Sequence, residues 1–198
     1  MKKYLIAFIL GVLLIPTAFY LYLRSGKVPV ATSASPFPLE RFFARLAMRA
    51  TMAHQLPKKD AGPPTEMQLV SGARIYRQNC AVCHGLPNEP QTAISKGMYP
   101  HPPQFFRPGE SAAYDAGRRY QPAKRKDYWK VKNGVRLTGM PSFRGSFTEQ
   151  QIWEVSQFVG NARNLPPAAI AVLENKPEKA AHAAAVSGSH QAMASNHK

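Results

Sequence analysis

Cys80-Ala81-Val82-Cys83-His84 is the stretch of this 198-residue chain with the clearest chemistry. Two thiols three positions apart, with an imidazole directly after the second, form the pattern through which a c-type haem is attached. The thiols can add to the two vinyl groups on one side of a porphyrin, and His84 then lies under the iron as its proximal nitrogen ligand. Other chemistries use the same residue types. A thioredoxin-like pair sits between a strand and a helix, and no strand pattern precedes Cys80. A structural zinc site takes four ligands, whereas the chain has only two cysteines and no second pair to complete the set. Covalent haem would use both thiols, leaving no disulfide and no second haem of this type.

Further residues extend the pattern. Gly72-Ala73-Arg74-Ile75-Tyr76 precedes the motif, Gly85 follows it, and Thr138-Gly139-Met140-Pro141-Ser142-Phe143 comes well after it. On these residues, from near Glu66 to near Asn164, the chain resembles the class I c-type cytochromes in their membrane-anchored, mono-haem bacterial form. The resemblance covers about half the chain and implies a mostly α cytochrome c fold, a small helical domain wrapped around one covalent haem c. It also implies an iron held by His84 on one side and Met140 on the other. A thioether is soft and neutral, so it favours ferrous iron and raises the potential relative to a second imidazole. Methionine is equally an ordinary core filler, and Met98 and His101 are the competing residues for the second axial position. Tyr99-Pro100-His101-Pro102-Pro103 resembles the family's proline-rich loop, from which a backbone carbonyl accepts the His84 ring N–H and fixes the ring.

These groups need elements to hold them. Glu66–Asn79 reads as a helix with Leu69, Gly72, Ala73 and Tyr76 on one face, and Thr148–Asn164 as another with Ile152, Val155, Val159 and Ala162. Thr148-x-x-Gln151 is a capping box, and Pro166-Pro167 is expected to end the domain. In the family these two helices cross closely, and Gly72 has no side chain to hold them apart. Asp127–Asn133 is expected as a short helix, with Asp127 as N-cap and Gly134 at its C-terminal stop. Trp129 and Trp153 are either core residues or indole donors to a haem propionate.

The rest of the chain suggests where such a domain works. After Met1-Lys2-Lys3, an apolar run from Tyr4 to Leu23 has about 20 residues, enough to cross a roughly 30 Å hydrocarbon core. Arg24 and Lys27 follow it with no small-residue cleavage site nearby, so a retained signal-anchor is expected over residues 1–27. Residues 28–65 are expected to hold a basic amphipathic helix and a proline-rich linker. Leu39, Phe42, Phe43, Leu46, Ala50 and Ala53 recur at helical spacing, with Arg41, Arg45 and Arg49 at other positions. That helix suits either the lipid headgroup region or a packed protein surface. The haem domain is expected over 66–166 and a disordered tail over 167–198, whose His182, His190 and His197 have no defensible metal spacing.

The formal net charge is +15. Arg118, Arg119, Lys124, Arg125, Lys126, Lys130, Lys132 and Arg136 crowd one stretch, either a solvated loop or a docking surface for acidic redox proteins. Family resemblance puts haem attachment on the periplasmic side of the bacterial inner membrane, which leaves no place for nucleic acid. The function expected is single-electron transfer by a membrane-tethered cytochrome, not an enzyme. The alternatives are a haem subunit of a larger respiratory complex and a haem sensor or enzyme with a labile distal ligand.

Overall fold

The computed structural model describes residues 2–59, 61–107 and 123–174, and among them there are helices and no strands. The chain forms two compact units, 1–49 and 50–198. In the first, α1 runs from Lys2 to Arg24 and contains Pro16. It is the one described helix long and apolar enough to cross a membrane. The Arg24 guanidinium lies over the Tyr20 ring, 5.8 Å from its centre. The second helix, α2 (Glu40–Gln55), continues into the second unit and buries none of its residues.

The second unit is built on α3 (Glu66–Asn79), α6 (Ala123–Asn133), α7 (Glu149–Gly160) and α8 (Pro167–Leu173), with the short helices α4 (Ala81–His84) and α5 (Ala93–Gly97) between them. Both long helices start on reciprocal caps. Thr65 and Gln68 close the first turn of α3, and Thr148 and Gln151 that of α7. Each box satisfies backbone N–H groups that a helix start otherwise leaves unpaired. The buried faces are Leu69, Gly72, Ala73, Ile75 and Tyr76 on α3 and Ile152, Val155, Phe158 and Val159 on α7. They meet at Gly72, where an added Cβ would stand 2.7 Å from Phe158 Cβ and closer still to the Glu154 carbonyl. Tyr76 is fully buried beside Phe158, with ring centres 5.0 Å apart.

Two expectations are corrected here. The helix expected over Asp127–Asn133 begins a turn earlier, at Ala123. Asp127 is thus inside it and buried, because lysine and arginine are good helix formers and extend the element upstream. The ordered chain does not stop at Pro166-Pro167. A proline at the first helical position starts a helix as readily as it ends one, and α8 follows, with Ala169 and Leu173 buried against α3. The proline-rich linker is tied down: Arg125 donates to the Pro57 and Lys58 carbonyls (3.0 and 3.3 Å), and Gln157 donates to that of Gly62 (3.1 Å). The capped N-terminus of α7 is joined to α6 by Glu149, which accepts from Lys132 and Tyr128. Arg118, Arg119 and the histidines at 182, 190 and 197 lie outside the described residues.

Candidate functional site

The two thiols and the imidazole are carried on one turn. Cys80 ends α3 and begins α4, its backbone N–H still donating to Tyr76 (2.8 Å), so the attachment motif grows directly out of the best-packed helix. A four-residue helix has almost no internal hydrogen bonding and leaves its carbonyls to outside donors. Each one here is met. Gly85 N–H reaches Ala81 O, Thr92 Oγ1 reaches Val82 O at 2.6 Å, and Tyr76 Oη reaches Gly85 O at 2.6 Å. Ser95 Oγ and Gln104 Nε2 both donate to Cys83 O at 2.8 Å, and Phe105 N–H donates to His84 O at 3.3 Å. Gly85 takes φ +82°, a conformation that side chains disfavour, and the missing side chain leaves room for the Gln104 amide.

His84 is oriented from two directions. Its Nδ1 is 2.9 Å from Pro103 O, so Nδ1 carries the proton and donates, leaving Nε2 as the nitrogen with a lone pair for a metal. The Phe105 ring stacks on the imidazole at 4.8 Å with an interplanar angle of 14°. Burial lowers the His84 pKa, and Lys130 adds to this against the opposing bond to Pro103. The neutral form, the one that ligates, is therefore favoured. Burial also pushes the Cys80 thiol up to about 12, with Cys83 adding to the effect, and raises Cys83 for the same reason. Both sulfurs are thus held as thiols at neutral pH.

Met140 comes from the far end of the domain, on a loop that folds back over the end of α6. Gly134, at φ +68°, closes that helix, and an added Cβ would meet Ser142 N at 2.7 Å and Pro141 C at 2.8 Å. The loop is pinned at Met140 itself: its N–H reaches Thr138 Oγ1 at 3.1 Å and its carbonyl accepts from Val135 N–H at 3.1 Å. Beyond it, Ser142 Oγ donates to Lys132 O at 2.7 Å and Phe143 N–H to Val131 O at 3.1 Å. The methionine is held in place by backbone closure, independently of its side chain.

Cys80, Cys83, His84 and Met140 all line one cleft of about 1100 Å³, counted with its open mouth. Met98 and His101, the competitors for the second axial position, line it too. The Met98 methyl occupies the space where a side chain at Gly139 would stand, and its N–H closes α5 on the Ser95 carbonyl. The walls suit a haem. They are largely apolar, from Phe105, Val131, Val135, Phe143, Val155 and Val159, with paired thiols, one imidazole nitrogen and one pinned thioether. The sequence indicated these four groups as candidates, and the structure brings them to one cleft beside the accepting proline loop. The sequence did not indicate Thr92, Ser95, Gln104, Phe105 or the Tyr76 hydroxyl, whose only local mark is the Thr92-x-x-Ser95 cap of α5. Trp129 takes its core alternative, buried with its indole N–H on Gln55 at 3.2 Å, while Trp153 stacks on Tyr128 at 4.1 Å.

No curated protein and no solved structure matches the chain. Residues 68–159 match the family described as cytochrome C oxidase, cbb3-type, subunit III. That span runs from the first turn of α3 to the last of α7 and holds the paired thiols, the oriented imidazole and the pinned thioether, and it places this domain in the c-type cytochrome family, which implies covalently bound haem c and haem-based electron transfer.

Proposed function

We propose that the chain is a membrane-tethered mono-haem cytochrome that passes single electrons between redox proteins at the periplasmic face of the bacterial inner membrane. The observation that carries this is the convergence of His84 and Met140 on the cleft that also holds both thiols. Bound there, haem supplies a ferric/ferrous couple. The chain's part would be to hold Cys80 and Cys83 for thioether formation, to offer His84 Nε2 and Met140 Sδ as the two protein ligands of the iron, and to keep water from the ring with apolar walls. An iron held by both would have no position left for a substrate, which suits a carrier and not an enzyme. Arg136 and the almost wholly exposed Leu137 stand beside the Met140 loop, where a cation and an apolar contact suit docking by an acidic partner. The wider basic stretch contributes less, because Arg125 and Lys132 are committed within the domain.

The tether is α1. Phe37, just before α2, lies against Tyr22 near the end of α1, with ring centres 6.4 Å apart. The start of α2 is thereby kept at the level of the bilayer surface, where exposed Phe42, Phe43 and Leu46 suit acyl chains and Arg41, Arg45 and Arg49 suit lipid phosphates. Mature protein should begin at or next to Met1 and stay in carbonate-washed membranes. A fluorophore on Phe43→Cys should report an apolar setting in vesicles containing phosphatidylglycerol. A soluble protein starting near Ser35 would contradict the tether, and a water-exposed label on a carbonate-resistant protein would contradict only the surface helix.

A second reading is favoured by the matched family's description, which names an oxidase subunit. On that reading the haem is one relay in a larger complex. Purification in mild detergent separates the two, since a relay subunit arrives with haem-bearing partners and a free carrier arrives alone.

A further inference from the structure

We propose that Gln104 is a positioning residue that sets the reduction potential by fixing the hydrogen bond on His84. This rests on the reading of the cleft as a haem site. Gln104 is 1 % exposed, which is unusual for glutamine, and lies in a loop, where burial of a long amide needs a reason. Its side-chain NH2 reaches three acceptors: Cys83 O at 2.8 Å, Ser95 Oγ at 2.9 Å and Pro102 O at 3.0 Å. Those groups belong to α4, α5 and the proline loop, so one amide joins the three segments around the imidazole. Ser95 completes the cluster, donating to Cys83 O and accepting from Gln91 Nε2 at 2.9 Å. The Gln104 carbonyl oxygen, by contrast, has no hydrogen-bond partner among the described residues. A buried acceptor left unmet costs free energy. The amide is therefore held in place by what its NH2 does.

What the NH2 does bears on His84. Gln104 directly follows Pro103, whose carbonyl accepts from His84 Nδ1, and directly precedes Phe105, which stacks on the ring and donates to the His84 carbonyl. Anchoring the side chain between them fixes the peptide that carries both contacts. A strong Nδ1–H···O bond makes the imidazole a better donor to iron and favours the ferric state. Loosening the loop weakens that bond, leaves a poorer donor and moves the equilibrium toward ferrous iron.

Gln104→Met keeps the length and bulk of the side chain and removes its donors. In the full-length holoprotein it should shift the ferric/ferrous equilibrium toward ferrous by about threefold to tenfold, a rise of roughly 30–60 mV for one electron. The His84 ring N–H should also exchange faster with solvent in NMR of the reduced protein. Gln157→Met is the control. It removes the donor of another buried glutamine, whose NH2 reaches Gly62 O at 3.1 Å and which has no side-chain hydrogen bond to α4, α5 or the proline loop, and it should leave potential and N–H exchange unchanged. An unchanged potential in Gln104→Met, or an equal shift in both variants, would overturn the assignment, the second because the loss of any buried amide donor would then suffice. Should Gln104→Met fail to mature, Ser95→Ala takes its place, with a smaller shift of the same sign expected and no shift counting against the proposal. The haem reading is tested separately by the wild type, which must carry covalent haem and titrate as a one-electron couple whatever the variants do.

Discussion

Met140→Ala should leave haem attached and change nearly everything else about the iron. Attachment depends on Cys80, Cys83 and His84, all on α4 or its cap, and the Met140 loop is closed by Thr138, Val135 and Ser142 through contacts that do not use the methionine side chain. The loop should therefore keep its path while the sixth position opens to water or to a nearby lysine or histidine. The ferric near-infrared band from sulfur-to-iron charge transfer should vanish. The potential should fall by at least about 100 mV, within the roughly 0.8 V that axial ligands span. Carbon monoxide, which the wild type should bind poorly, should bind readily. Met98→Ala is the informative comparison because Met98 lines the same cleft. It should leave the band in place. Loss of the band in Met98→Ala with its retention in Met140→Ala would reverse the ligand assignment. Ready binding of carbon monoxide by the wild type would favour the sensor or enzyme alternative.

Gly72→Val should prove the most destabilising single change outside the motif. The new Cβ would press on the Glu154 backbone carbonyl and on Phe158 Cβ, and neither is the free end of a flexible side chain. Relief requires α3 and α7 to separate, which would open the layer of Tyr76, Val155 and Phe158 beneath the cleft. A loss of about 3 kcal/mol or more is expected in denaturant unfolding of the holoprotein. Gly97→Ala, where an added Cβ meets nothing within 4 Å, should be nearly neutral. A Gly72→Val protein as stable as the wild type would mean that the helices do not cross at this residue.

These expectations rest on parts of the fold that were legible to different degrees. The starts of α3 and α7 were the most readable, because a threonine followed three residues later by glutamine satisfies helix N–H groups locally, and the apolar stripe then continues at helical spacing. Asp127 misled for the same local reason. It has the chemistry of an N-cap, yet it is buried inside α6, and only the packing around it shows that the helix began earlier. Pro166-Pro167 was ambiguous, since proline ends one helix and starts the next, and the choice depends on the space beside α3 that Ala169 and Leu173 fill. In the site, the candidate groups Cys80, Cys83 and His84 were readable because a porphyrin would set their spacing, and Met140 because its Gly-Met-Pro setting resembles the family's loop. Gln104 was not. Its partners come from α4, α5 and its own loop, and nothing near it in sequence indicates that a glutamine there is buried.

Cys80 and Cys83 should carry haem covalently in the cleft that His84 and Met140 share. Denaturing electrophoresis with haem staining, followed by acid–acetone extraction and intact mass measurement of the purified protein, tests it most directly. The predicted result is one haem that stays with the chain through both treatments in the wild type, and impaired maturation with at most one linkage in Cys80→Ala. Release of intact haem from the wild type, or a chain whose mass shows no haem at all, would contradict the account.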